Sequence, residues 1–158
     1  ELTWPAYGGL SDHHAPYEVL IPVGDRAPAE IALCDIETLT WSSYHPQRRG
    51  DYLVVAMESN WVLAVVPHGP SQVVSFDPLP EVYAGDAVTL RPQRIAGVRR
   101  DLRAEVSAPG LEVIPEHARL GDAVRIRVPN DALPGWYGVS LRGRGVLGVK
   151  RLLRVLAR

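Results

Sequence analysis

The sequence predicts an all-β fold, and three observations support this class. Short runs rich in β-branched residues follow one another along the chain, separated by Pro, Gly and Asp. Apolar residues with helical spacing are almost absent before the last ten residues. In residues 122–128 apolar and charged side chains alternate, as they do in a strand with one buried face. We therefore expect packed sheets and little helix.

Length and composition allow such a chain to bury a core by itself. Its 158 residues suffice for one ordinary domain or two small ones. Hydrophobic residues make up 46% and charged residues 22%, which excludes intrinsic disorder and a long coiled coil. The single cysteine, Cys34, excludes an internal disulfide and a zinc site built from several thiolates. No apolar run approaches the roughly 20 residues that cross a bilayer, so no transmembrane segment is expected.

Six strands are predicted in the first half of the chain. They cover residues 17–22, 29–36, 38–44, 52–57, 61–66 and 72–76. The turn Glu58-Ser59-Asn60 predicts a tight hairpin between the fourth and the fifth of these strands. Both are apolar on both faces, which is typical of strands covered on two sides.

The proline-rich residues 77–80 divide the chain into two predicted domains. We expect an acidic β-rich domain in residues 1–78 and a basic β-sandwich in residues 79–158. The alternative is one larger β-sandwich or jelly roll, in which residues 77–80 cross between two sheets.

A local repeat supports a sandwich in the second half. Residues 85–91 (GDAVTLR) are echoed 36 residues later by residues 121–127 (GDAVRIR). In each copy Gly-Asp provides a turn and the following alternation provides a strand. The repeat therefore predicts corresponding strand starts within one sandwich.

The last ten residues, 149–158, fit two secondary structures. Val149, Leu152, Leu153 and Leu156 have helical spacing, which favours a short basic amphipathic helix for a membrane surface or a partner's groove. Ten residues without an N-cap make a marginal helix, however. We predict an edge strand instead, because without it the sandwich would keep an unpaired edge.

Several segments of the second half resemble a known family. They are residues 82–86 (VYAGD), 108–115 (APGLEVIP), 120–122 (LGD) and 128–139 (VPNDALPGWYGV). Together they resemble the bacterial immunoglobulin-like domains associated with α-galactosidases and other secreted enzymes, over about residues 79–158. The resemblance implies an immunoglobulin-like β-sandwich that acts as a spacer or interaction module without catalytic residues. It places Tyr137 as a buried aromatic residue whose hydroxyl bonds the backbone. The glycine- and arginine-rich residues 142–145 and the basic tail depart from the family pattern.

Charge is distributed unevenly between the two halves. Ten acidic and three basic residues give residues 1–78 a net charge of −7, whereas fourteen basic and eight acidic residues give the rest +6. This asymmetry predicts halves that dock on each other, or protein subunits that meet head to tail in a homo-oligomer; two unrelated surfaces are the alternative. Nucleic acid is not an expected partner, because the acidic half would repel it. All basic residues except Lys150 are Arg, which indicates a thermophilic source or a GC-rich genome.

Histidines are concentrated in the first half, four of the five lying before residue 78. Asp12 precedes the pair His13-His14, and His45 and His68 follow at a distance. Adjacent side chains of an extended chain point to opposite sides, so no ligand spacing is evident. We expect no bound metal and no other cofactor, and an exposed polar loop here; a metal, if bound, would use Asp12, His13 and His14.

Aromatic residues are also concentrated near the start of the chain. Trp41, Tyr52 and Trp61 lie within apolar runs and are predicted to be core residues. Three others lie in segments rich in Pro, Gly and His, where exposed rings would stack on a sugar or form an interface. The predicted binding residues are Trp4, Tyr7, Tyr44 and His45.

Three short motifs are better explained by structure than by chemistry. Residues 143–148 (GRGVLG) match a nucleotide-binding pattern, but only ten residues follow them, too few for the next strand and its acidic residue. We expect these glycines to form the hairpin between the last two strands. Arg49-Gly50-Asp51 matches an adhesion tripeptide but is expected to be a turn. Cys34 is expected to be a small buried side chain.

The sequence contains no recognisable nucleophile elbow and no prominent pair of carboxylates. We therefore expect a protein without catalytic residues that is not an enzyme. The expected function is a structural or interaction module of a cell-surface, secreted or virion assembly, outside the cytoplasm, acting through protein–protein contacts. A glycan-binding module that uses the aromatic residues of the first half is the alternative.

Overall fold

A computed structural model describes residues 17–57 and 62–157, and this part of the chain is all-β. Its one helical segment is a single 3-10 turn at Gly24–Arg26. The strands are β1 (Tyr17–Pro22), β2 (Ile31–Asp35), β3 (Thr40–Tyr44), β4 (Gln47–Arg49), β5 (Tyr52–Met57), β6 (Val62–Val65), β7 (Gln72–Ser75), β8 (Val82–Tyr83), β9 (Ala87–Leu90), β10 (Gln93–Gly97), β11 (Arg103–Ser107), β12 (Glu112–Ile114), β13 (His117–Arg119), β14 (Val124–Arg127), β15 (Gly135–Arg142), β16 (Val146–Gly148) and β17 (Lys150–Leu156).

The predicted fold class is confirmed, and the predicted strands of the first half are largely correct. β1 and β5 have the predicted bounds, while β2, β3, β6 and β7 lie inside their predicted ranges. The short strand β4 was not predicted, because its sequence Gln-Arg-Arg is polar and shows no alternation.

Two sheets enclose one core in the second half, as in a β-sandwich. The larger sheet has the order β13-β11-β15-β17-β8 and the smaller one the order β12-β14-β9. Alternate residues of each strand point into the space between them. The fully buried side chains there include Val106, Val124, Ile126, Val139 and Leu153. The finer immunoglobulin-like topology stays a prediction.

The repeated Gly-Asp segments start two neighbouring strands of the smaller sheet. β9 and β14 pair antiparallel, with Val88 opposite Ile126. Gly85 and Gly121, which precede them, have φ values of 90° and 93°. Glycine is favoured at both positions because other residues rarely adopt this left-handed conformation. The predicted correspondence of the two copies within one sandwich is thus confirmed.

The tail is a strand, as predicted, but the prediction that it is an edge strand was wrong. β17 is hydrogen-bonded to β15 on one side and to β8 on the other. Its buried face is formed by Arg151, Leu153 and Val155. The edge position is taken by β8, because the chain after residue 80 returns to pair in parallel with the end of β17.

The predicted pairing of the last two strands is correct, but their connection is more than a turn. Between β15 and β17, β16 leaves the larger sheet and pairs in parallel with β7. Gly148 approaches the backbone of Leu141 so closely that a Cβ at position 148 would overlap the Leu141 carbonyl oxygen. Glycine permits this close crossing between two sheets.

The first half contains two further sheets around a second core. Their orders are β1-β5-β4 and β3-β2-β6, and the buried residues between them are Ile31, Leu53, Val55 and Met57. The predicted hairpin between residues 52–57 and 61–66 was wrong. β5 already has a partner on each edge, and β6 pairs with β2 instead. The turn residues 58–60 lie outside the described residues.

β7 joins the two halves of the chain. It pairs with β10 and β16, both of which follow residue 78. Val73 packs with Ala32 and Ala96 in a small third core, whereas Val74 packs in the core of the sandwich. The domain boundary after residue 78 stays a prediction, and hydrogen bonding and packing continue across it.

Arg151 also contacts both halves. Its Nε donates a hydrogen bond to the carbonyl oxygen of Phe76 at 2.7 Å, and one terminal nitrogen donates to that of Leu39 at 2.9 Å. The guanidinium lies 5.7 Å from the centre of the Phe76 ring. Burial lowers the pKa of Arg151 from its ordinary value, although arginine keeps its charge in proteins. This side chain therefore links the tail strand to the first half.

Candidate functional site

Most of the predicted binding and metal-ligating residues lie outside the described part of the chain. They are Trp4, Tyr7, Asp12, His13 and His14. Their proposed roles stay predictions, as does the core position of Trp61. Among the described residues, no three His, Cys, Asp or Glu side chains come close enough to hold a metal ion.

Tyr44 lies in a predicted strand, but the prediction that its ring is exposed was wrong, because the side chain is partly buried. It ends β3 and packs, partly buried, against the core of the first half. Its hydroxyl accepts a hydrogen bond of 3.2 Å from the backbone nitrogen of Ala56.

His45 is exposed and borders an open cleft of about 690 Å³ between the two halves. One ring nitrogen, Nδ1, lies 3.2 Å from the carbonyl oxygen of Ala29. A largely buried ion pair between Glu30 and Arg94 borders the same cleft, and Arg94 also donates to the carbonyl oxygen of Gly97. Glu30 and Arg94 therefore form an ion pair between the two halves of the chain.

Two other core predictions have different outcomes. Trp41 packs, partly buried, against the small core at β7. The prediction for Tyr52 was wrong, because its side chain is 46% exposed. Side chains alternate along β5, and Leu53 takes the inward direction next to it.

Cys34 is buried, as predicted. Burial raises the pKa of its thiol, and the nearby Arg151 opposes part of that shift. A raised pKa lowers the fraction of reactive thiolate. We expect iodoacetamide to alkylate the native protein much more slowly than the urea-unfolded protein at about pH 8. Equal rates in the two states, measured by mass spectrometry, would contradict a buried and inert thiol.

The solvent side of the five-stranded sheet carries ten exposed residues, nine of them charged or aromatic. We call this group the outer face. Its members are Tyr83, Arg103, Glu105, His117, Arg119, Trp136, Arg142, Lys150, Leu152 and Arg154. Five are cations and one is a carboxylate, so the outer face is basic.

Trp136 is the most exposed Trp, Tyr or Phe residue of the described part of the chain, at 63%. Arg154 lies opposite it on β17, with its guanidinium 5.4 Å from the centre of the indole ring. Arg154 also donates a hydrogen bond of 2.7 Å to Glu81. The Arg154 guanidinium stacks on the Trp136 ring and is itself oriented by its ion pair with Glu81. These two contacts restrain the tryptophan side chain on its strand.

Small and flexible side chains surround this pair. Gly138 lies opposite Leu152, which is 54% exposed. The aliphatic chain of Lys150 crosses Gly138, since a Cβ built at position 138 would lie 2.9 Å from Lys150 Cε. The outer face thus combines apolar surface with mobile positive charge.

Sequence reasoning did not single out Trp136, although a signal was present. Tyr137, Val139 and Leu141 alternate as the inward residues of one strand, which places Trp136 on the outside. As the resemblance implied, the Tyr137 hydroxyl bonds the backbone, donating to the carbonyl oxygen of Leu133 at 2.8 Å.

The turn between β2 and β3, residues 35–39, is the second exposed feature of note. Asp35 accepts hydrogen bonds from the backbone nitrogens of Glu37 at 2.9 Å and Thr38 at 3.1 Å. These bonds lower the pKa of the Asp35 carboxyl, which is therefore charged at neutral pH. Ile36 is 38% exposed and Leu39 is 50% exposed.

Leu39 has an unusual backbone conformation. Its φ is 56°, and it is the one described residue other than glycine with a positive φ. A left-handed conformation costs a leucine about 1–2 kcal/mol. The Leu39 side chain is half exposed, so its burial offsets little of this cost. The backbone carbonyl oxygen of Leu39 accepts a hydrogen bond from Arg151.

Comparison of the sequence with protein-family models and with curated proteins found no match. The class that the fold defines is an all-β protein with several packed sheets. No helix in residues 17–57 or 62–157 has the length and hydropathy that a bilayer crossing needs.

Proposed function

We propose that the chain is a non-enzymatic interaction module that binds a protein partner through the outer face. The observation that carries the proposal is the exposed Trp136, held by Arg154 on the rigid five-stranded sheet. Tryptophan, tyrosine and arginine are the residue types most enriched among those that dominate binding energy at protein interfaces. The outer face contains all three.

The charge of the outer face indicates the kind of partner. Four of its five cations form no ion pair among the described residues, since only Arg154 has one. They remain available for a partner's carboxylates. The proposed partner surface therefore has an apolar patch for Trp136 and Leu152 and carboxylates beside it.

The proposed setting is a cell-surface, secreted or virion assembly. The support for it is the resemblance of residues 79–158 to bacterial immunoglobulin-like modules of secreted enzymes. β-sandwiches without disulfides are also common in viral coat proteins.

A photocrosslinking residue at position 136 tests the proposal in the organism that produces the protein. We expect a protein adduct when benzoylphenylalanine replaces Trp136, because the ring lies at the centre of the contact. The matched control replaces Tyr52, another exposed aromatic residue on a strand of the first half. Absence of a protein adduct at position 136, or equal adducts at both positions, would contradict the proposal.

A further inference from the structure

We infer that the partner of the outer face is a second copy of this chain, which inserts its 35–39 turn there. The inference rests on the proposed function and adds the identity of the partner. Copies joined in this way would associate head to tail.

Charge and apolar surface are complementary between the two elements. The 35–39 turn carries the carboxylates of Asp35 and Glu37, and neither forms an ion pair among the described residues. Its exposed apolar side chains are Ile36 and Leu39. The outer face offers the reverse arrangement, with the apolar surface of Trp136 and Leu152 next to the unpaired cation of Lys150 and the guanidinium of Arg154. The other unpaired cations, Arg103, Arg119 and Arg142, lie at the opposite end of the sheet.

The 35–39 turn is well suited to insert into a rigid surface. Its backbone is held by the Asp35 side chain and by the bond from Arg151 to the Leu39 carbonyl. A segment ordered before binding loses little conformational freedom on binding. The left-handed backbone of the exposed Leu39 raises the free energy of the isolated chain. A leucine is explained at this position if its side chain contacts a second copy in the assembly.

The contact has to form between copies and not within one chain. Arg151, which bonds the 35–39 turn, points to the buried side of β17, whereas Lys150 and Leu152 point to the outer side. Successive side chains of a strand lie on opposite faces of the sheet. The turn of each copy therefore lies across the sheet from its own outer face.

This contact joins two different surfaces, the 35–39 turn of one copy and the outer face of another. Each copy carries one such turn and one such face. Contacts of this type produce closed rings or open filaments. One turn on one sheet face buries less than the roughly 1,200 Å² of a stable interface, so we expect weak association that depends on concentration. Because charges contribute, association should weaken as salt rises from about 0.05 M to about 0.5 M.

Two substitutions separate association from folding. Leu39→Asn removes the apolar contact while asparagine tolerates the left-handed backbone, so the melting temperature should stay equal or rise. Trp136→Thr removes the indole and keeps a residue that favours strands. Each variant should associate about tenfold more weakly by analytical ultracentrifugation, as expected for a residue central to an interface. The controls Leu20→Asn and Tyr52→Thr change exposed residues elsewhere, Leu20 being as exposed as Leu39, and should associate like the original protein.

A mixture of the two variants provides the decisive measurement. Leu39→Asn keeps an intact outer face and Trp136→Thr keeps an intact turn, so together they can form one junction. We expect pairs of one copy of each variant and nothing larger. A mixture that associates no more strongly than either variant alone, or a single variant that associates as strongly as the original protein, would overturn the inference.

The inference can fail while the proposed function stands. If the purified original protein is monomeric at every concentration, yet the residue at position 136 crosslinks to a different protein in the producing organism, the partner is not a second copy. If no protein adduct forms there, the proposed function itself fails.

Discussion

Removal of residues 149–158 is expected to unfold the β-sandwich of the second half. β17 is hydrogen-bonded on both sides, to β15 and to β8, so its loss separates the edge strand from the sheet. It also removes Leu153 and Val155, which are 0% and 2% exposed. Truncating one buried leucine alone costs about 2–5 kcal/mol, comparable to the whole stability of many domains.

The measurement is thermal unfolding followed by near- and far-ultraviolet circular dichroism. Removing only Ala157 and Arg158, which follow β17, is the matched control and should leave the transition unchanged. A protein without residues 149–158 that keeps the full transition and loses only lipid or partner binding would favour the amphipathic helix and contradict the strand.

Arg151→Met is expected to lower the free energy of unfolding by about 3 kcal/mol. Methionine fills much of the same space but donates no hydrogen bond. The carbonyl oxygens of Phe76 and Leu39 would lose their charged donor, and the contact with the Phe76 ring would be lost as well. Because these carbonyls belong to the first half, the effect should extend beyond the sandwich.

Urea denaturation of the original protein and the variant measures this change. Arg154→Met on the same strand is the matched control, since Arg154 is about half exposed and its ion pair with Glu81 contributes less than about 1 kcal/mol. If Arg151→Met changes stability no more than Arg154→Met, the two carbonyl bonds do not stabilise the fold as we argue.

Strand positions could be predicted because their signal is local. Alternation and β-branched residues placed β1 and β5 at their observed bounds. Pairing is not local, since it depends on which strands compete for each edge. The predicted hairpin at residues 58–60 was wrong because β4 and β1 occupy the two edges of β5.

Exposure of single aromatic residues was only partly predictable. Tyr44 was predicted to be exposed but packs against a core, and Tyr52 was predicted to be buried but is half exposed. Alternation tells which residues share a face, yet it does not tell which face another sheet covers. For Trp136, the inward series Tyr137, Val139 and Leu141 would have given the correct answer.

The sequence by itself determined the all-β class, most strand positions of the first half and the uneven charge of the two halves, because each depends on residues close together in the chain or on composition. Only the tertiary structure decided that the tail is an inner strand, that β7 connects the two halves, and that Trp136 and the 35–39 turn are presented on opposite sides of one sheet. These features depend on hydrogen bonds between strands as far apart in the chain as β8 and β17, where local patterns carry no information about the partner.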